Sequence, residues 1–232
     1  MDLQLQIKMN PALYLRNPES TELGRNIIRY GIQVIFELGF EEFTFRKLAI
    51  RIGTTEASIY RYFENKHRLL TYIITWFWTW MEYQLIFYTN NINNPKEKID
   101  IFLKLLTFQD TDQYPFEYID KKILHGIAIA EGNKSYLTKH VTSDNQQKLF
   151  KPYKDFCHRI AEIFLDYNPQ YSFPHSLGST VIETAHHQTY FNNNLPSLTD
   201  FGQVADPNAI MSFLHHLVFS ALDAHQHTQK NQ

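Results

Sequence analysis

The chain has few of the residues that mark several classes of protein. Glycine accounts for 8 of 232 residues, about half the usual share of ~7%, which favours helices over glycine-rich turns. The single cysteine, Cys157, excludes an intramolecular disulfide and any cysteine pair spaced for metal or redox chemistry. The formal net charge is −2, so the chain has no overall basic excess. A nucleic-acid-binding site would therefore need basic residues concentrated in one segment of the chain.

Long hydrophobic runs are also missing. The uncharged stretch from Leu69 to Met81 holds 13 residues, whereas a membrane-spanning helix needs about 20. The stretch therefore predicts a buried helix. The first ten residues lack the basic and apolar regions of a signal peptide. We expect a cytoplasmic protein that does not enter the membrane.

The patterning that is present is helical. Apolar residues recur at helical spacing between clusters of Asn, Asp, Gly and Pro, and runs of period two are missing. The fold class predicted is all-α, with about nine helices. Residues 1–18, which contain Pro11 and Pro18, are expected to be an irregular, frayed arm. Helices are expected near residues 21–38, 44–52, 55–63, 65–88, 96–108, 116–131, 143–167 (with a kink or break at Pro152), 174–192 and 207–227.

Residues 44–63 indicate a helix-turn-helix. Thr44 is placed to cap one short helix, Gly53 to end it, and Thr54 or Thr55 to cap the next. In such a motif the second helix enters the major groove of DNA by its N-terminal residues. The residues at this tip are small and partly polar, as a close approach requires, whereas Ile59 and Phe63 are predicted to face the core.

Charge is concentrated in the same segment. Residues 44–68 contain six basic and two acidic side chains, a local charge of +4, whereas residues 71–232 contain twelve basic and sixteen acidic ones. A basic patch on an acidic body is typical of a DNA-binding module.

The segment from Arg25 to Leu70 resembles the DNA-binding domain of the TetR family of transcriptional regulators. The resemblance rests on Phe36, Leu38, Gly39, Phe40, Thr44, Leu48, Ala49, Gly53, Thr55, Ala57, Ser58, Ile59, Tyr60, Tyr62, Phe63, Asn65, Lys66 and Leu69. It covers about 46 of 232 residues.

The resemblance implies a homodimeric regulator, most often a repressor, that binds a palindromic operator in double-stranded DNA and is released by a small effector. It implies a DNA-binding domain over residues 19–66 and a helical effector-binding and dimerisation domain over residues 67–232, with the dimer formed by the last two long helices. The DNA-facing candidates carried over are Thr44, Arg46, Thr55, Glu56, Ala57, Ser58, Tyr60, Arg61, Tyr62 and Lys66. Among them, Tyr60, Tyr62 and Lys66 are expected to contact phosphates.

Three of these positions depart from the family pattern. Glu56 stands where a basic or neutral residue is common, and it either accepts a hydrogen bond from a cytosine amine or faces solvent. Ala57 replaces a glycine, and Tyr62 replaces a histidine. The operator sequence therefore cannot be read from the helix.

Beyond residue 70 the main feature is a high aromatic content. Eight aromatic side chains lie between Tyr72 and Tyr88, more than one core-facing stripe of a helix can hold. They either pack in the core and between domains or line an apolar pocket. The candidates for a pocket are Trp76, Trp80, Tyr83 and Phe87, and the effector is expected to be hydrophobic.

Other site chemistries find little support in the sequence. The eleven histidines show neither HExxH nor His-x3-His spacing, and His140, His158 and His175 are isolated along the chain, so no metal is predicted. No cofactor or enzymatic activity is expected, because the chain has no GxSxG, P-loop or GxGxxG motif and no paired carboxylates. The alternatives are an enzyme in the effector domain, and a binding protein that has lost operator recognition, for which Glu56 is the one supporting feature.

Overall fold

A computed structural model of the chain describes residues 7–108, 119–202 and 207–228. This part contains ten α-helices and no strand. The helices are α1 (Glu22–Glu42), α2 (Phe45–Ile52), α3 (Glu56–Tyr60), α4 (Lys66–Thr89), α5 (Pro95–Leu106), α6 (Lys121–Glu131), α7 (Val141–Gln146), α8 (Lys151–Tyr167), α9 (Pro174–Asn194) and α10 (Pro207–Thr228). Short 3₁₀ turns occupy Pro11–Leu13, Pro18–Ser20, Gly132–Ser135 and Pro196–Leu198. The all-α prediction is confirmed, with ten helices in place of about nine.

Helix starts follow the capping residues that the sequence indicates. Thr21, Thr44 and Thr55 each accept a hydrogen bond from the backbone N–H three residues on, and Asn65 does the same for α4. These side chains satisfy donors that the first turn of a helix otherwise leaves without a partner. Several boundaries differ from prediction: α1 continues past Leu38 to Glu42, α3 ends at Tyr60, and α6 begins at Lys121. The break expected near Pro152 is present, because α7 ends at Gln146 and α8 begins at Lys151.

The described residues form two compact units. One contains residues 7–80 and 119–153, and the other contains residues 81–108, 154–202 and 207–228. In the first unit α1 packs against α2 and α6, and in the second α10 packs against α5 and α9. The second unit has an aromatic core in which Phe102 lies edge-to-face with Phe156 at 6.2 Å and with Phe164 at 6.1 Å. The functional division at residue 66 stays a prediction, since compactness follows packing rather than function.

The N-terminal segment is packed onto the first unit. Met9 and Leu13 are buried, the N–H of Leu15 donates to the carbonyl of Tyr62 at 2.8 Å, and Asn10 Nδ2 donates to the carbonyl of Gln147 at 2.8 Å. The expectation of a frayed arm is therefore wrong for residues 7–18. Asparagine before each proline caps a 3₁₀ turn and gives this segment regular local structure. Residues 1–6 lie outside the described part.

A glycine in the first turn of α1 allows this segment to approach the helix. A Cβ on Gly24 would lie 2.1 Å from the carbonyl oxygen of Pro18 and 2.6 Å from its Cα. We expect Gly24→Ala to lower the free energy of unfolding by about 1–3 kcal/mol, because this contact is with backbone that has no alternative rotamer. Gly132→Ala is the matched control, since Gly132 has φ −55° and a Cβ there would meet nothing within 4 Å. Urea unfolding of both variants tests the prediction, and equal stabilities would contradict it.

Candidate nucleic-acid interface

The turn between α2 and α3 is set by Gly53. This residue has φ 77° and ψ 37°, a left-handed conformation that favours glycine. Its N–H and that of Thr54 both donate to the carbonyl of Ala49, at 3.0 and 2.9 Å, which closes the end of α2. Ile59 and Phe63 are fully buried, as predicted. The burial of Ile59 leaves the opposite side of α3 facing outward.

The outward side of α3 carries small and polar groups. Thr55, Ala57 and Arg61 are exposed, whereas Glu56 and Ser58 are half-buried. Thr55 Oγ1 accepts from the backbone N–H of Ser58 and lies 2.9 Å from Ser58 Oγ, so the Thr55 hydroxyl caps the helix and also contacts the Ser58 hydroxyl. A short helix with a small-residue tip has the dimensions that the major groove of DNA, about 12 Å wide, admits.

Tyr60 lies at the end of the same surface. Its ring packs edge-to-face on Phe45 at 5.0 Å, while 47% of the residue stays exposed. The packing fixes the ring, and the exposed hydroxyl can donate to a phosphate oxygen. Its position therefore fits the predicted role.

Tyr62 occupies a different environment. The residue is 2% exposed, and its hydroxyl lies 2.8 Å from Oγ1 of Thr21, the residue that caps α1. The guanidinium of Arg16 lies over its ring at 5.4 Å. Tyr62 thus joins the end of the α3 turn to the start of α1. This position does not fit the predicted phosphate contact, because the hydroxyl is already engaged inside the domain.

Lys66 is also directed inward. Its Nζ donates to the backbone carbonyls of Phe40, Glu41 and Phe43 at 3.0, 3.0 and 3.1 Å, and lies 4.8 Å from the centre of the Phe40 ring. The ammonium has three donors, and three carbonyls at the end of α1 accept from them. The geometry assigns Lys66 to capping α1, and the predicted phosphate contact does not fit it.

The basic residues of α2 and α3 fall into two groups. Arg51 donates to both carboxylate oxygens of Glu37, which raises the pKa of Arg51 and lowers that of Glu37 through these hydrogen bonds. Lys47 donates to the backbone and carboxylate of Glu42. Arg46 and Arg61 are exposed and take part in no ion pair within the described residues. The remaining predicted residue, Thr44, is exposed at the start of α2.

A polar contact links α1 to α6 at a break in α1. Gly39, with φ 76° and ψ 158°, interrupts the helix. The N–H of Phe40 then donates to Glu131 Oε1 at 2.8 Å, and Lys134 Nζ lies 2.9 Å from Glu131 and 2.8 Å from Glu41. Hydrogen bonds to Glu41 and Glu131 raise the pKa of Lys134. Sequence reasoning missed Glu131 and Lys134, since they lie more than ninety positions from their α1 partners.

Removing this acceptor is expected to loosen the end of α1. We expect Glu131→Ala to lower the free energy of unfolding by about 1–3 kcal/mol, because the Phe40 N–H loses its partner in a place with little access to water. Glu131→Gln keeps an acceptor oxygen and is expected to cost less than half as much. Amide hydrogen exchange at Phe40 distinguishes the two variants. Equal protection of this amide in both would contradict the assignment.

The four residues predicted to line a pocket do not share one environment. Trp76 and Trp80 are buried in the first unit, whereas Tyr83 and Phe87, on the later part of α4, are 41% and 47% exposed. The first unit contains a cleft of about 10 Å³, room for about one water molecule and far below the roughly 300–1,000 Å³ of typical ligand sites. It is bounded by Ile74, Thr75, Trp78, Ser135, Tyr136, Leu149, Phe150, Pro152 and Tyr153.

Among residues 7–108, 119–202 and 207–228, no helix has the length and apolar character needed to cross a bilayer.

Comparisons with known proteins place the helix-turn-helix in a family. Residues 27–73 match the sequence model of bacterial regulatory proteins, tetR family. The fold is similar to that of the fatty acid degradation regulator FadR from Bacillus halodurans, with a TM-score of 0.60 and 18% identity over 83% of this chain and 92% of that one. It is also similar to AibR solved with isovaleryl coenzyme A and operator DNA, with a TM-score of 0.56 and 16% identity over 84% of this chain and 98% of that one. No curated protein matches the sequence.

Proposed function

Because residues 27–73 match the sequence model of bacterial regulatory proteins, tetR family, we propose that the chain is a homodimeric repressor that binds a palindromic operator and is released by a small hydrophobic effector. The observation that carries the proposal is the outward face of the helix-turn-helix, with the small tip of α3 and three exposed residues: Arg46 on α2, Tyr60 on α3 and Arg61 directly after it. Together these supply a groove-sized surface and phosphate-binding donors.

The proposed DNA contacts fall into two classes. Arg46 and Tyr60 are assigned to phosphates, while Thr55, Ser58 and Arg61 are assigned to base edges, with Thr44 and Ala57 beside them. Glu56 is half-buried at the first position of α3. It is proposed either to accept a hydrogen bond from a cytosine amine or to face solvent. Tyr62 and Lys66 are proposed to hold this surface in place from inside the domain. Tyr62 contacts Thr21, and Lys66 donates to carbonyls at the end of α1.

The proposed dimer uses α9 and α10. These helices and the turn between them carry apolar side chains that are partly exposed: Tyr190 (39%), Leu195 (47%), Leu198 (57%) and Phe213 (36%). Exposed apolar residues grouped on neighbouring elements mark a protein interface. A two-fold dimer would set two recognition helices about one turn of DNA apart.

The effector is proposed to be an apolar acyl group or a molecule of similar character. AibR was solved with isovaleryl coenzyme A, and FadR is described as a regulator of fatty acid degradation. In this chain α4 supplies aromatic surface, and Trp76, Trp80, Tyr83 and Phe87 remain the proposed pocket residues. The cleft described above is too small for a coenzyme A ester and does not include these four residues.

Selection of genomic DNA fragments by the purified protein tests the DNA-binding proposal. We expect enrichment of a palindrome. In anisotropy titrations on that palindrome, we expect the log of the affinity to fall with the log of the salt concentration, with a slope of several units. A panel of acyl-coenzyme A esters and free fatty acids is then titrated into the complex, with release of DNA as the readout. Size-exclusion chromatography with light scattering tests the dimer separately.

The main alternative is a binding protein without operator recognition. No enrichment of any fragment, in the presence or absence of cell extract, would favour it over a repressor. An enzymatic role would be supported if the protein turned over a small molecule and this turnover was lost when a pocket residue was changed.

A further inference from the structure

Two histidines that are far apart in sequence meet on the surface of the second unit. His158, on α8, and His175, in the first turn of α9, lie with His158 Nδ1 3.1 Å from His175 Nε2. Their rings are 5.4 Å apart and inclined by 28°. Spacing along the chain gives no hint of this pair, because seventeen residues and a helix boundary separate its members.

A carboxylate lies behind one of the two rings. Glu162 Oε1 is 3.4 Å from His158 Nε2, one turn further along α8. A proton on Nε2, held toward the carboxylate, leaves the lone pair of His158 Nδ1 pointing at His175. In metal sites a carboxylate hydrogen-bonded to the second imidazole nitrogen orients the ring and strengthens it as a ligand. The exposed Glu162 is one small side-chain movement from that hydrogen bond.

We propose that His158 and His175 form a binding site for a divalent transition-metal ion, with Zn²⁺ as the reference ion, and that Glu162 positions His158 for it. Two ligand nitrogens at about 2.0–2.1 Å from a tetrahedral zinc lie about 3.3 Å apart. The observed 3.1 Å is close to this distance, and each ring must turn so that its lone pair is directed at the metal ion rather than at the other ring. In the metal-free protein one proton lies between the two nitrogens, and the metal replaces it.

The surroundings leave room for further ligands. His158 has 62% of its side chain exposed, so water can complete the coordination. The nearest cation along α8, Arg159, is directed to Glu82 at 2.8 Å. Imidazole nitrogens with open water positions suit zinc, copper and nickel better than the hard ions Mg²⁺ and Ca²⁺.

Bound metal would connect α8 to α9. The two helices already pack closely, since a Cβ on Gly178 would lie 3.4 Å from the side chain of Ile160. A metal bridge near the start of α9 adds a further link between the two helices. The inference does not depend on DNA binding, because the residues of the site are distinct from those of α2 and α3.

Calorimetric titration of the full-length, tag-free protein with Zn²⁺ tests the site. We expect one ion to bind per chain, and His158→Gln or His175→Gln to remove that binding. Glu162→Gln is expected to weaken it by about tenfold, as the loss of an orienting carboxylate does elsewhere. His140→Gln, which changes an exposed histidine in the first unit, is the matched control and should bind as the original chain does.

A second readout separates this site from weak binding by other histidines. Saturating Zn²⁺ is expected to raise the melting temperature of the original chain and of His140→Gln, and to leave both site variants unchanged. All four substitutions are at exposed positions, and circular dichroism verifies that the variants are folded. The proposal is overturned if zinc does not bind, or if His158→Gln and His175→Gln give the isotherm of the original chain.

Discussion

Replacing Arg46 and Arg61 together by glutamine is expected to reduce operator affinity by about 10³-fold near 0.1 M salt. Each phosphate charge neutralised by the protein contributes about 0.9 to the slope of log affinity against log salt. Of the two arginines only Arg46 is assigned to a phosphate, so the two Arg46 side chains of a dimer lower the slope by about 2, and the rest of the loss comes from the base-edge contacts of Arg61. Anisotropy titrations at several salt concentrations measure both quantities on the same operator.

The comparison with Arg51 makes this prediction specific. Arg51 belongs to α2, as Arg46 does, but both of its terminal nitrogens donate to Glu37. We expect Arg51→Gln to change affinity by less than tenfold. A result in which the three positions behave alike would mean that general positive charge, rather than this face of α2 and α3, controls binding. If only Arg61 changes the preferred operator sequence, its assignment to a base edge is supported.

Local rules were enough to predict the frame of this surface. Thr44, Gly53 and Thr55 have caps or backbone angles that depend on a few neighbouring residues, and the prediction of each is confirmed. The same holds for the burial of Ile59 and Phe63, because helical spacing determines which side of a short helix is apolar. The family match covers the same segment, residues 27–73.

These local rules do not predict contacts between residues that are far apart in the sequence. Whether Tyr62 and Lys66 face DNA or the domain depends on Thr21 and on the carbonyls at the end of α1, which lie 23 to 41 residues away. Glu131 reaches α1 across 91 residues. A tyrosine or lysine beside a recognition helix matches the sequence pattern of a phosphate ligand whether its side chain faces DNA or the interior of the domain. Only the fold distinguishes these two orientations.

The aromatic residues of α4 illustrate the same limit. Composition shows a surplus over one core-facing stripe, yet it does not say which members are surplus. In the structure the earlier residues, including Tyr72, Phe77 and Trp80, are buried, and exposure begins at Tyr83. That division depends on how much of α4 is covered by other helices. The spacing of residues along α4 does not predict this coverage.

Lys66→Met is expected to lower the free energy of unfolding by about 2–4 kcal/mol and the melting temperature by about 5–10 °C. Methionine keeps the hydrocarbon chain near Phe40, but three carbonyls at the end of α1 lose a charged donor. Thermal and urea unfolding measure this effect. Lys47→Met is expected to cost about 1 kcal/mol or less, because exposed Lys47 donates to one carbonyl, that of Glu42, and to one exposed carboxylate.

DNA titrations of the same variant separate the two roles that can be given to Lys66. If it caps α1, as the geometry indicates, the salt slope of operator binding stays that of the original chain, while affinity falls in proportion to the disturbance of α2 and α3. If it contacts a phosphate instead, stability is unchanged and the slope falls by about 0.9 for each chain of the dimer. The two outcomes differ in both measurements, so a single variant decides whether this lysine holds the DNA-binding surface in place or forms part of it.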